Sequence, residues 1–254
     1  MVLNYKEYGE GEAVIILHGL FGMLDNWHSF ARQLGELFHV IVVDQRNHGQ
    51  SFHSEAFDYN ILASDLNEFM ENKDIPCAHI IGHSLGGKTL LQFMNDFPMK
   101  VDKAVIIDIA PKAYSGGHEE IISAMLSLDL SNISTRSEAY NSMLDKISDP
   151  AIVNFLLKNL KRQNKHSFSW KANIHSLEKN YDHIKSGIYR KDPYYGKVLF
   201  VKGGKSTYIT EEDEKRIKDT YVNSQVVNIS GAGHWIHTEK PDELLEVLDG
   251  FLNS

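Results

Sequence analysis

The chain has a single cysteine, Cys77, in 254 residues. One thiol closes no internal disulfide, which excludes a disulfide-stapled scaffold and fits a reducing compartment. Long hydrophobic runs are missing too: no apolar stretch approaches the roughly 20 residues that span a bilayer. Positive charge is scarce, with 26 Lys and Arg against 34 Asp and Glu and a formal net charge of -8. Such an acidic surface disfavours nucleic acid and anionic lipid as partners. The opening stretch, Met1 to Gly11, is polar and lacks the charged-then-apolar layout of a signal peptide. Repeats and low-complexity segments are absent. What is present is an ordinary globular balance, 42% hydrophobic and 24% charged. The expectation is a cytoplasmic protein with one domain and an insertion, a monomer or small homo-oligomer.

Near-continuous apolar runs alternate with amphipathic stretches through the first half. Ala13–Leu17, Val40–Val43, His79–Ile81 and Ala104–Ile107 suit strands of a parallel sheet covered on both faces. Asp25–Leu37, Tyr59–Asn72 and Ser84–Phe97 read as the helices between them. Strand, helix, strand in this order specifies an α/β sheet with right-handed crossovers. The pattern resumes at Lys197–Val201 and Gln225–Ile229. Between them a helix starts at the N-cap Thr210, with Glu211, Glu212 and Asp213 in its electropositive first turn. A last helix opens on Pro241.

Residues 112–192 break the alternation and read as helices only. Thr135 and Glu138 have capping-box spacing, Asp149-Pro150 an N-cap with proline behind it, and Gly187 would close a helix begun near Trp170. The expected architecture is therefore a mostly parallel twisted sheet with helices on both faces. Residues 1–111 and 193–254 form its core, and 112–192 form a helical lid inserted before the last two strands.

Gly82-His83-Ser84-Leu85-Gly86 follows an apolar strand and precedes a helix. A serine on so tight a turn projects its hydroxyl outward, and the glycines leave room for the sharp reversal. The helix start beside Ser84 offers free N–H groups to negative charge. Later, Ser230-Gly231-Ala232-Gly233-His234 follows the last strand, where a histidine on a glycine-containing loop could accept the serine proton. His234 and His237 lack the surroundings of a zinc motif, so no metal is expected. Cys77 has no adjacent base and reads as inert. His18 and His48 read as structural histidines that hydrogen-bond their loops.

Together with His18-Gly-Leu-Phe-Gly22, Asp25-Asn-Trp27, Arg46-Asn-His-Gly49, the full Gly82-His-Ser-Leu-Gly-Gly-Lys88 stretch, Asp108-Ile-Ala-Pro111 and Gly231-Ala-Gly-His-Trp235, these motifs carry a resemblance. The sequence resembles α/β-hydrolases, and more narrowly the YbfF-like esterases, over nearly its whole length. The resemblance implies hydrolysis of small carboxylic esters or thioesters without a cofactor. It places oxyanion donors at the backbone N–H groups of Leu20 and Leu85. One departure stands out: Asn47 replaces a glycine in the Asp44–Ser51 turn, a change that asparagine's tolerance of positive φ allows.

The acid is the open point. Many relatives keep it after the strand that here reads Val198–Val201, but Gly203–Tyr208 holds no carboxylate. Ser206 carries no charge, and Glu211 and Glu212 suit a helix first turn. Asp108 ends an apolar strand at the edge where active sites gather, and some members of the superfamily take the acid from that strand. The competing reading makes Asp108 a cap of the turn before Pro111. The residues point to a serine hydrolase with Ser84, His234 and Asp108, expected to act on a small, short-chain ester or thioester through an acyl-enzyme. Its rivals are a carbon–carbon bond hydrolase or lyase on the same residues, and a ligand sensor with slow turnover.

Overall fold

A computed structural model describes residues 2–254; Met1, which opens the polar N-terminal stretch, lies outside the described residues. The strands are β1 (Tyr5–Tyr8), β2 (Ala13–Leu17), β3 (His39–Val43), β4 (Ala78–His83), β5 (Val101–Ile107), β6 (Leu160–Asn164), β7 (Ser167–Trp170), β8 (Lys197–Gly203) and β9 (Ser224–Ile229). Seven of them form one sheet in the order β1-β3-β2-β4-β5-β8-β9, with only β1 antiparallel to its neighbour. This is an α/β-hydrolase architecture.

The helices are α1 (His28–Leu34), α2 (Tyr59–Asn72), α3 (Leu85–Asp96), α4 (Glu119–Leu126), α5 (Arg136–Leu144), α6 (Pro150–Leu157), α7 (Ile174–Lys179), α8 (Tyr181–Lys185), α9 (Glu211–Thr220), α10 (Ile236–Glu239) and α11 (Pro241–Leu252). No helix among the described residues is long and apolar enough to cross a membrane.

The sheet separates two apolar clusters, and the period-2 alternation of its strands assigns each side chain to one of them. Ile15, Leu17, Ile41, Val43, Ile80 and Ile106 pack with α2, α3 and the inserted segment. Val14, Ile16, Val40, Val42, Ile81 and Val105 pack with α1 and α11, the latter through Leu244, Leu248 and Phe251. Each such side chain contributes about 1.5–3 kcal/mol by leaving water. Burial on both faces is why these strands read as unbroken apolar runs.

Several local expectations change. The proposed helix over Asp25–Leu37 is a 3₁₀ turn at Leu24–Trp27 followed by α1, which stops at Leu34 with Gly35 as its C-cap. The insertion is not helices only: β6 and β7 pair as an antiparallel hairpin. Gly187 closes no helix begun at Trp170, because Trp170 ends β7 and the following helices are the short α7 and α8. The hairpin's polar run Lys161–Asn164 hides it from a pattern search. Tertiary contacts hold it instead: Leu160 and Phe168 are buried, Phe168 N–H donates to Leu130 O at 2.9 Å, and the Arg162 guanidinium lies 4.4 Å from the Phe168 ring centre.

Candidate active site

Neighbouring parallel strands end side by side at their carboxyl edge. Ser84 follows β4, Asp108 follows β5, and Gly203 closes β8; the ladder carries on between them through Ser84 N–H to Ile107 O (3.0 Å) and Asp108 N–H to Val201 O (2.8 Å). Sequence-distant residues are thereby delivered to one place.

Ser84 occupies φ 52°, ψ -114°, a conformation costly for any residue with a side chain. The elbow survives because two glycines admit backbone. A Cβ on Gly82 would lie 2.3 Å from Gly86 O, and one on Gly86 would lie 2.3 Å from Leu17 O. The turn puts the Ser84 side chain into a cavity also lined by Leu20, His118, His234 and Trp235. Immediately behind the serine, α3 begins at Leu85. Neither Leu20 N–H nor Leu85 N–H is engaged by a backbone acceptor among the described residues, and both residues, with Ser84, line a second, adjoining cavity.

The Leu20 loop is rigidly braced. His18 Nε2 accepts from Gln45 N–H at 3.0 Å while Nδ1 donates to Gly19 O at 2.8 Å. His48 Nε2 accepts from Phe21 N–H at 3.2 Å, and its Nδ1 donates to Arg46 O at 3.0 Å. Each ring is thereby a neutral tautomer, and burial pushes His18 down to about 4 and His48 to about 3. Asn159 of the insertion donates its side-chain N–H to Phe21 O at 2.7 Å. Phe21 itself sits at φ 57°.

Asn47 does take a positive φ, 63°. It also does what a glycine could not: its side-chain amide donates to Ser54 O and to Ser176 Oγ in α7 at 3.0 Å, and its Oδ1 accepts from Ser54 N–H and from the Asn173 side-chain amide at 3.3 Å. The substituted turn is thus a fastening point for the insertion.

Asp108 is fully buried and sits at φ 50°. It accepts three hydrogen bonds: Gly203 N–H on Oδ1 at 3.0 Å, and Ser206 Oγ–H (2.5 Å) and His234 Nδ1–H (2.8 Å) on Oδ2. Gly203 also lets the His234 loop come close, since a Cβ there would lie 2.2 Å from Gly233 O. The His234 ring stacks on Tyr208 with centroids 4.1 Å apart, and His83 Nε2 donates to His234 O at 2.9 Å. With Nδ1 held by Asp108, Nε2 is the nitrogen free to accept a proton. Ser84 and His234 line the same cavity without a direct hydrogen bond between them.

The structure thus brings Ser84, Asp108, His234, Leu20 and Leu85 to one edge of the sheet. Glu211 and Glu212 stay in the first turn of α9, and Cys77 is exposed elsewhere. His237 stacks on Trp27 at 4.0 Å, is pushed down to about 3 by burial, and joins no metal-binding cluster among the described residues. Ser206, His83 and Tyr208 are supports that sequence reasoning missed. His83 stood inside the Gly-His-Ser motif and could have been flagged; Ser206 and Tyr208 acquire their contacts only through folding.

The chain belongs to the alpha/beta hydrolase fold family, whose model matches residues 12–241. It is 34% identical to the esterase YbfF of Escherichia coli over 94% of this chain and 92% of that protein. A putative esterase/lipase of Haemophilus influenzae is 33% identical over 99% of this chain and 88% of that protein. Among solved structures, a marine microorganism esterase superposes with a TM-score of 0.95 at 41% identity, covering 98% of each chain.

Proposed function

We propose that the protein is a serine esterase that hydrolyses small carboxylic esters or thioesters through an acyl-enzyme. The observation that carries the reading is the buried Asp108 carboxylate on His234 Nδ1, beside a strained serine facing the same cavity. Ser84 gives its proton to His234 Nε2 as Oγ attacks the carbonyl carbon. The Leu20 and Leu85 N–H groups hold the oxyanion, which collapses as His234 returns the proton to the leaving oxygen or sulfur. Water then gives a proton to the same nitrogen and attacks the acyl carbon. Collapse releases the acid and restores Ser84. Asp108 fixes the imidazole tautomer and offsets its positive charge throughout.

Two small cavities meet at Ser84, of about 180 and 290 Å³. Each has room for a small group on one side of the reacting carbonyl, which supports short-chain substrates. Residues 112–192 act as the lid over a core of 1–111 and 193–254, an assignment supported by Gly117, His118, Ile121, Ile152, Phe155 and Leu156 lining the smaller cavity. The acidic surface and lone free thiol support a cytoplasmic setting.

Steady-state hydrolysis of 4-nitrophenyl acetate and butyrate by wild type and Ser84→Ala tests the assignment, with fluorophosphonate labelling mapped by mass spectrometry. Multiple turnovers, their loss in Ser84→Ala and labelling at Ser84 are expected. A single turnover would indicate a sensor, and labelling at Ser51, Ser206 or Cys77 would overturn the nucleophile.

A further inference from the structure

The larger of the two cavities at Ser84 contains a charge that the mechanism above does not use. Lys88 lies four residues after Ser84 on α3, one helical turn along the same face. It is 98% buried and lines this cavity together with Leu85, Lys112, Tyr114 and Lys185. Lys112 is balanced by Asp213 at 2.5 Å, and Lys185 by Asp182 at 2.9 Å. Lys88 has no carboxylate within ion-pair distance among the described residues. Its ammonium donates to two carbonyls at the end of α8, Lys185 O at 3.3 Å and Ser186 O at 2.5 Å, and lies 4.8 Å from the Tyr114 ring centre.

An ammonium has three protons, and the two carbonyls together with the Tyr114 and Tyr59 ring faces, the latter at 5.7 Å, satisfy its donors without supplying a counter-charge. A buried cation without a counter-ion is costly, and burial alone pushes Lys88 down to about 7. A lysine kept only to tie α3 to α8 would be served by a neutral donor. A cation without a counter-ion in a cavity that opens onto the nucleophile is a complement to an anion carried by the substrate.

The side of the reaction follows from geometry. His234 must protonate the leaving group, so that group lies toward His234, Trp235 and His237, which line only the smaller cavity. The acyl chain then runs the other way, past Leu85 toward Lys88. That cavity, of about 290 Å³, suits a short acyl chain.

We propose that the Lys88 cavity is an acyl site selective for a terminal carboxylate, so that the preferred substrates are monoesters or monothioesters of short dicarboxylic acids. The proposal rests on the esterase reading of Ser84. Lys88 is a specificity-determining residue: its ammonium pairs with the far carboxylate while the near carbonyl occupies the Leu20 and Leu85 donors.

The test compares monomethyl glutarate with methyl pentanoate, which share chain length and leaving group and differ by a carboxylate in place of a methyl. Wild type should favour the glutarate monoester in kcat/KM by about 10- to 100-fold, the range of a charge-assisted hydrogen bond. Lys88→Met and Lys88→Gln should bring that ratio close to one, whatever happens to the common rate. Gln retains donors for the Lys185 and Ser186 carbonyls and so guards against a folding defect in Met. A lysine with only a structural role would lower both rates together and leave the ratio unchanged, overturning the proposal. Equal rates for the two esters in wild type would overturn it as well. If turnover depends on Ser84 yet shows no such preference, only this inference fails. If neither ester is turned over, or turnover survives Ser84→Ala, the esterase reading fails and takes the inference with it.

Discussion

Asp108→Asn is the substitution whose effect the hydrogen-bond geometry specifies in most detail. Oδ1 of Asp108 is pinned by Gly203 N–H, a backbone donor that does not reorient. The asparagine oxygen must take that position, since an NH₂ there would set donor against donor in a fully buried site. The amide NH₂ then falls where Oδ2 now accepts from His234 and Ser206. Ser206 can turn its hydroxyl and become an acceptor. His234 accommodates the amide only by giving up its Nδ1 proton, which places the proton on Nε2. The imidazole then points a donor at Ser84 and cannot serve as a base. For a triad aspartate replaced by asparagine, the wrong tautomer costs roughly 10⁴ in kcat, about 5 kcal/mol of transition-state stabilisation. The same loss is expected here, with the fold retained because size and two of three contacts are conserved. Steady-state kinetics on 4-nitrophenyl butyrate gives the rate, and ¹⁵N chemical shifts of His234 report which nitrogen carries the proton. A kcat within tenfold of wild type, or an Nδ1-protonated ring in the variant, would refute the assignment of Asp108.

Acid should destabilise the protein before its carboxylates titrate. His18, His48 and His237 are held neutral, with values pushed by burial to about 4, 3 and 3, and burial also puts His83 well below its usual value. The unfolded chain takes up protons first, near pH 6.5, so this stability is present above that pH and is lost as pH falls toward the folded values. At pH 5 His18, His48 and His237 each cost about 2 kcal/mol, about 6 kcal/mol together and comparable to a domain's whole stability, and His83 acts in the same direction. Urea midpoints at pH 7.5 and pH 5 should differ accordingly, and equal midpoints would contradict the neutral assignment. Two glycines give opposite expectations in a thermal melt. Gly86→Ala forces a Cβ to 2.3 Å from Leu17 O and should abolish fluorophosphonate labelling along with several kcal/mol of stability. Gly250→Ala in α11 meets nothing within 4 Å and should stabilise by about 0.5–1 kcal/mol.

The central sheet was legible because burial on both faces leaves a local trace: stretches such as Val14–Leu17 and Val40–Val43 are apolar at every position. The helix over Tyr59–Asn72 was legible for the complementary reason, a one-sided apolar stripe at 3.6-residue spacing. β1 left no such trace, since three of its four side chains are exposed, and the β6–β7 hairpin left none because its strands depend on Leu130 and on the packing of Phe168. The Ser84 turn declared itself through Gly82 and Gly86, whose smallness is a local steric requirement.

Contacts between distant segments are of another kind. That Asp108 meets His234 across 126 positions, that Ser206 rather than a carboxylate stands after β8 to hold it, and that Tyr208 stacks on the imidazole are consequences of β5 and β8 being neighbours. Lys88 closes the Gly82–Lys88 stretch that carries the resemblance to the YbfF-like esterases, but nothing in the sequence tells what surrounds its ammonium. Only the packing of α8 against α3 encloses its ammonium beside Ser84 without a counter-ion. The sequence by itself determined which segments become strands, helices and turns, because those depend on residues a few positions apart. The tertiary structure alone decided which charges are paired, which are buried and which face the nucleophile, because desolvation and hydrogen bonding depend on what the folded chain brings within a few ångströms.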